Sequence, residues 1–421
     1  VKSRLIAVGA LAAVLAGQSA FAKTLEDVLK EKGVITEEDY KEVNKSRPVS
    51  YKLGQGFTFT SPDEKFQGSI GGSMQLRYTF TDLDDANGSQ TDTSEFKLRR
   101  IKLFFNGYAY SKDLTYKLQM NLAELNNSNK NNTSKFLEET YVNYRILDEA
   151  QLRFGQDKVP FARQELVSTT ALQFVDRSFV TDAFKPSYDI GLALHGKVAG
   201  GLVGYQAGVY GGAGQNTFRS SNDNSFAARI VANPLGDMAY SESDVDNSAK
   251  PLVSVGASYF RDTIKNTAGA LETNNLSFAN TKSGWLGMGL STFNPNEKID
   301  TNSYGIDAAF KWHGFSAQGE YFLAQADGQT TNNTLRAHGF YAQAGYFILP
   351  GQLEVAARYG YLDPNRDVTQ NIQTQTQGAV SYFFAKHNLK VQADVTNIHQ
   401  QYATKSNTDD MQYRLQAQVI F

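Results

Sequence analysis

The sequence predicts an all-β fold, a transmembrane antiparallel β-barrel of sixteen strands with a short helical segment before it. Three observations carry that reading. Apolar residues recur at every second position in one run after another. In MQYRLQAQVIF (411–421), Met411, Tyr413, Leu415, Ala417, Val419 and Phe421 share one face, and Gln412, Arg414, Gln416 and Gln418 share the other. The connections between runs alternate between tight turns and long polar loops. The composition sets 35 Gly, 22 Tyr and 27 Phe beside 9 Pro and no Cys, so neither a disulfide framework nor a thiolate metal site is available.

Taken in order, the chain begins with Lys2 and Arg4, an apolar stretch at 5–17 and Ala20-Phe21-Ala22, the pattern of a signal peptide over 1–22. Leaving out those two cations takes the net charge from −2 to −4, a balance that gives no hint of a nucleic-acid partner. Past this segment no apolar run is long enough for a membrane helix. Residues 23–65 read as a periplasmic helical segment and connector. TLEDVLKEKG (24–33) and TEEDYKEV (36–43) are its helices: Thr24 with Asp27 and Thr36 with Asp39 suit N-caps, and Gly33 suits a C-cap.

The barrel is expected over 66–421. Its lipid-facing sets start with Ile70, Met74, Leu76, Tyr78 and Phe80. They continue through Leu114, Tyr116, Leu118 and Met120, then Tyr304, Ile306, Ala308, Phe310 and Trp312, and close with the 411–421 run. The connections after even-numbered runs are tight, as in SKD (111–113), AGG (199–201) and HG (313–314). Those after odd-numbered runs are long, as in DLDDANGSQTDTSE (82–95). This parity matches the two sides of an outer-membrane barrel, with N- and C-termini periplasmic. The polar stretch 234–250 breaks it, because a short turn is expected there. Phe421, a terminal aromatic, is expected to serve as the signal read by the barrel-assembly machinery.

The opposite parity lines the lumen. It holds twelve cations: Arg77, Arg100, Lys102, Lys117, Arg145, Arg153, Lys197, Arg229, Lys311, Arg358, Lys390 and Arg414. Five acids oppose them: Glu139, Asp307, Glu320, Glu354 and Asp394. Such an excess in a slightly acidic chain is a segregation of charge, and cationic walls in a narrow low-dielectric pore favour anions. Each cation has a plainer alternative role, pairing with a lumenal acid to hold the barrel's shape. Lys97 and Arg99 fall on the lipid parity, which places them at the outer rim or next to a bulge. The connection 158–189 carries Val159, Phe161, Leu172, Phe174, Val175 and Phe184. A loop so apolar is expected to fold into the barrel, bringing Lys158, Arg163, Arg177 and Lys185 to a constriction.

FKLRRIKLFFNGY (96–108), LEETYVNYRI (137–146), RFGQDKVPFARQEL (153–166), STTALQFVDRS (168–178) and DIGLALHGKV (189–198) together resemble the phosphate-selective porin O/P family. The resemblance implies a trimeric sixteen-stranded porin of the Gram-negative outer membrane, conducting small anions past lumenal Arg and Lys. By that resemblance Arg99 and Arg100 are the basic pair of the second strand and Lys117 the lysine of the third. The lumenal acid is Glu138 or Glu139, Ser168 and Thr169 are the loop's hydroxyl pair, and Arg177 is the arginine after it. Glu165 stands where phosphate-selective members place a lysine, so Glu139 and Glu165 are the acids expected to modify selectivity.

No cofactor is expected. The five histidines are scattered and offer no Ser/His/acid constellation for an enzyme, and no metal-ligand spacing occurs. The expected contacts are outer-membrane lipid and lipopolysaccharide outside and small anions inside. A structural or adhesin-like protein is the alternative, resting on the Asn/Thr-rich stretch 262–303 as an exposed loop.

Overall fold

A computed structural model describes residues 29–39, 48–126, 135–219, 221–267, 271–272 and 275–421. The expected signal peptide and the expected start of the first N-terminal helix and end of the second lie outside these residues. Two compact units are present, Val1–Val49 and Ser50–Phe421. In the first, residues 29–31 and 37–39 are helical. Thr36 and Asp39 cap each other: the Asp39 N–H donates to Thr36 Oγ1 at 3.1 Å and the Thr36 N–H donates to Asp39 Oδ2 at 3.0 Å.

The second unit carries the sixteen expected strands. They are β1 (Phe66–Asp82), β2 (Thr93–Ala109), β3 (Ser111–Asn121), β4 (Leu137–Leu147), β5 (Ala150–Lys158), β6 (Tyr188–Val198), β7 (Val203–Tyr210) and β8 (Ser225–Ala232). Then follow β9 (Leu252–Lys265), β10 (Lys298–Trp312), β11 (Phe315–Gly328), β12 (Thr334–Leu349), β13 (Leu353–Asp363), β14 (Gln373–Ala385), β15 (Leu389–Gln400) and β16 (Thr408–Ile420). Each pairs antiparallel with the next, and β16 returns to β1, so the sheet closes. Closure leaves no strand edge unpaired in lipid, where each open backbone group would cost several kcal/mol. A short strand, Gly56–Thr60, adds to the foot of β1.

The wall alternates as the period-two pattern requires. On β10, Tyr304 and Ile306 stand 53% and 60% exposed on the outside, while Ser303, Asp307 and Lys311 are buried inside. Aromatic pairs band the outer surface, among them Tyr259 and Tyr304 at 5.2 Å and Phe340 stacked on Tyr361 at 5.6 Å. The seam is closed at the last residue. Phe421 and Gly72 exchange backbone hydrogen bonds of 2.8 and 2.9 Å, and a Cβ on Gly72 would lie 2.8 Å from the Phe421 ring.

Inside, the arrangement departs from the single infolded loop that the sequence suggests. Three segments enter the barrel. The first connects β5 to β6 and carries two short helices, α1 (Arg163–Leu166) and α2 (Phe179–Phe184). The second, between β9 and β10, is the stretch read from sequence as an exposed Asn/Thr-rich loop. It instead buries Leu276, Phe278, Trp285 and Leu286 almost completely. Phe278 stacks on Trp285, Trp285 on Phe184, and Phe184 on Phe322 of β11, with centroids 5.2–6.4 Å apart. The Asn and Thr residues had hidden an apolar core (roughly 2–3 kcal/mol for each such side chain buried). The third segment, 233–251, enters from the short-turn rim and is the source of the irregular parity: Glu242, Ser243 and Asp244 are buried within the barrel.

Candidate functional site

The constriction is built where β5 stops short. Lys158 is its last residue, and the Val159 N–H donates to the Ser187 carbonyl at 2.9 Å, so the intervening chain leaves the wall as a closed loop. Phe161 and Phe184 then pack into the core shared by the inner wall and the second infold, and Leu172, Phe174 and Val175 are buried as well. That apolar anchoring fixes two carboxylates in the lumen.

Asp176 receives three arginines. Arg77 Nη1 reaches Oδ2 at 2.7 Å, Arg100 Nη2 reaches Oδ1 at 3.0 Å and Arg99 Nη2 reaches Oδ2 at 3.4 Å. Arg99 joins them through a bulge. Gln75 pairs with Arg100 and Leu76 pairs with Leu98, so Arg99 is the extra residue and turns inward from its nominal lipid parity. Burial pushes the Asp176 carboxyl up, but Arg99, Arg100 and Arg77 more than offset this and hold it well below the usual carboxylate range.

Glu165 forms the second cluster, with Arg177 Nε at 3.1 Å and Lys185 Nζ at 2.8 Å, while Lys158 Nζ donates to the Glu165 carbonyl at 2.7 Å. Burial acts against its charge. The surrounding Arg177, Lys185 and Lys158 win, and the carboxyl is pulled down to about 2. The acid expected from sequence to face the pathway is therefore sealed among cations, with 2% of its surface exposed.

Toward the short-turn rim, two chambers flank the loop. One, of about 490 Å³, is lined by Lys102, Lys117, Asn106, Gln119, Ser168 and Thr170. Both acids left open by the sequence serve here, Glu138 on Lys102 at 2.6 Å and Glu139 on Lys117. The hydroxyl pair is shifted by one residue: Ser168 Oγ bonds Thr170 Oγ1 at 2.8 Å, whereas Thr169 is buried. The other chamber, of about 630 Å³, includes Arg153, His195, Lys197, Arg229 and Tyr240 in its lining, and Arg153 pairs with Asp157.

Four of the expected pathway residues are held by local partners, two of them, Lys197 and Arg229, within the lining of the larger chamber. Arg145 bridges Asp113 at 2.6 Å and Asp148 at 3.0 Å on the rim, and Lys197 pairs with Asp237 at 2.5 Å, both well exposed. Arg163 is 1% exposed, donating to Ser254 Oγ at 3.0 Å and stacked over Tyr240. Arg229 is locked on Asp307 by bonds of 2.6 and 3.0 Å, in space that Gly256 leaves free by lacking a Cβ. Sequence reasoning also passed over Asp176 and Glu242. The first stood in view in FVDRS, an acid beside an arginine within a loop already read as entering the barrel. Among the described residues, no cluster of His, Cys, Asp or Glu is placed to hold a metal ion.

A closed sixteen-stranded barrel with an apolar outer wall and a polar lumen narrowed by a loop is a porin. The chain belongs to the phosphate-selective porin O and P family, whose model matches residues 70–421. An uncharacterized protein of Aquifex aeolicus (strain VF5) is 25% identical over 265 residues, covering 56% of this chain and 60% of its own length. The chain thus spans less than two thirds of that relative. Among solved structures, the outer membrane channel DcaP of Acinetobacter baumannii superposes with a TM-score of 0.55 at 14% identity, over 87% of this chain and all of that one. An anion-selective porin from Comamonas acidovorans gives 0.55 at 10% identity, over 84% and 99%. At such identities these two likenesses speak for the fold.

Proposed function

We propose that this porin is an anion-preferring diffusion channel, phosphate and other oxyanions included. Its selective element is the constriction loop together with the Lys102/Lys117 chamber. One observation carries the reading: two carboxylates of the loop, Asp176 and Glu165, are each outnumbered by cations, and the third, Asp182, is matched by Lys185. Asp176 faces Arg77, Arg99 and Arg100, and Glu165 faces Arg177 and Lys185 with Lys158 beside them. A surplus of fixed positive charge in a narrow, poorly screened lumen lowers the barrier for an anion and raises it for a cation. Planar guanidinium groups at the narrow point, then lysines and hydroxyls in the chamber, offer a passing oxyanion successive donors. Glu165, already neutralised by its partners, leaves the sign of the field unchanged.

In this reading the short-turn rim and both ends of the chain face the periplasm. The long loops meet lipopolysaccharide, three copies assemble as a homotrimer, and Phe421 is the mark read by the assembly machinery. The test is the reversal potential of the purified protein in a planar bilayer under a KCl gradient. Chloride preference is expected, and potassium preference overturns the reading. Phosphate added to the same chamber should reduce the chloride current; no reduction removes phosphate from the permeant class.

A further inference from the structure

The third infold ends in an arrangement that the channel reading does not use. Glu242 sits at its tip with 3% of its surface exposed and accepts four hydrogen bonds. Oε1 takes Gln164 Nε2 at 2.8 Å and Gln318 Nε2 at 3.1 Å. Oε2 takes the Gln173 N–H at 2.7 Å and Gln343 Nε2 at 3.1 Å. No cation pairs directly with it among the described ion pairs, so the carboxylate is held by neutral donors.

Those donors are aimed by other bonds. Gln164 Oε1 accepts from the Ser178 N–H at 2.9 Å and from Thr181 Oγ1 at 2.8 Å, which turns its amide nitrogen toward Glu242. Gln343 Oε1 faces Arg358 Nη1 at 3.5 Å, with the same consequence. The cage therefore belongs to the constriction loop and the barrel wall and is oriented independently of its occupant. The occupant arrives on a segment whose arms stay exposed at the short-turn rim. Beside the carboxylate itself, the tip is held by the Glu242 N–H on the Ala171 carbonyl at 3.1 Å, Ser243 Oγ on Glu354 at 2.7 Å and Lys311 Nζ on Ser241 Oγ at 2.5 Å. Val245 against Phe347 and Phe383, and Asp244 accepting from the Gly314 N–H at 2.8 Å, hold it as well.

We propose that this cage is a carboxylate-binding site of the lumen, that Glu242 fills it as an internal stand-in, and that segment 233–251 is a plug which a carboxylate-bearing solute displaces. Two oxygens with two donors each match a planar carboxylate and not a tetrahedral phosphate. Displacement withdraws the segment toward the rim and joins the occupied side of the lumen to the pathway.

The test uses the full-length protein in planar bilayers, with chloride current read against added succinate or inorganic phosphate. Glu242→Ala vacates the cage. Succinate should then block at a concentration about tenfold lower than in the wild type, with the phosphate response unchanged. Adding Gln318→Leu should remove the gain. Equal succinate sensitivity in the variant and the wild type, or an equal gain for phosphate, overturns the proposal. A second measurement keeps Glu242 in place. The chain has no cysteine, so Asp246→Cys with Lys386→Cys, at an exposed ion pair, allows a thiol-reactive linker to pin the segment. Pinning should abolish the succinate effect and cleavage of the linker should restore it; indifference to pinning overturns the plug. Wild-type reversal potential in the same bilayers reads anion preference separately.

Discussion

The two sides of the lumen are made of the same alternating strands and hold similar charged residues, yet they use them differently. Along β9–β13 the interior is filled. Ile299, Phe322 and Leu335 are completely buried, and the Phe184–Trp285–Phe278 stack packs on Phe322, while Asp307 meets Arg229 at the edge of the larger chamber. Along β1–β5, Lys117, paired with Glu139, and Arg153, paired with Asp157, line chambers and keep part of their surface open. A buried pair costs desolvation of both ions and recovers it only through close geometry, so it serves to position structure. A half-open pair retains field in the water beside it. The difference arises from where the infolded segments lie and not from the strands' own sequences.

The largest effect is expected from breaking the filled side. Phe184→Ala removes the ring that bridges Trp285 and Phe322 and should cost about 3–5 kcal/mol. Denaturant titration of tryptophan fluorescence would read it, with larger and noisier unitary currents alongside. Phe154→Ala, on the lipid face, should leave both signals near wild type. If both variants behave alike, the filled side is not the packed element described.

Acid should loosen the boundary between the two sides. The Glu165 carboxyl is depressed in the folded chain from an ordinary value near 4.5 to about 2. Its contribution is therefore fully present above pH 4.5 and is lost as pH falls toward 2. That loss is worth roughly 3 kcal/mol at most by linkage. Trp285 emission in a Trp312→Phe background should hold steady from neutral pH to about 4.5 and shift below it; a shift already complete at pH 5 would contradict the assignment.

On the open side, Arg77→Gln with Arg100→Gln should lower the chloride-to-potassium permeability ratio several-fold while the barrel stays folded. Asp176 would then keep only Arg99 of its three partners. An unchanged ratio would move selectivity away from the constriction. At the seam, Gly72→Val should push on the Phe421 ring and lower the yield of heat-modifiable, folded barrel. Channels that do form should conduct normally. The smallest effect belongs to the rim: Arg145→Ala should alter neither selectivity nor thermal stability measurably, because its ion pairs lie in water.

Much of this was legible in the chain. Strand number, face and order follow from a period of two, because lipid on one side and water on the other enforce the same alternation in each strand. The apolar content of 158–189 was enough to send that loop inside. Arg99 was readable only as a conflict, since a bulge shifts parity by one residue and period counting has no other way to show it.

The sequence by itself determined the sixteen-stranded closed wall, the residues that face lipid, and a lumen rich in arginine and lysine, since these depend on local alternation and composition. Only the tertiary structure decided which of those cations meet water. Asp176 and Glu242 lie far along the chain from the side chains they bind. Phe278 and Trp285 are dispersed among polar residues, with no period to mark them. Their roles come from segments crossing the lumen to reach walls dozens or hundreds of residues away, and such meetings are fixed by packing in space.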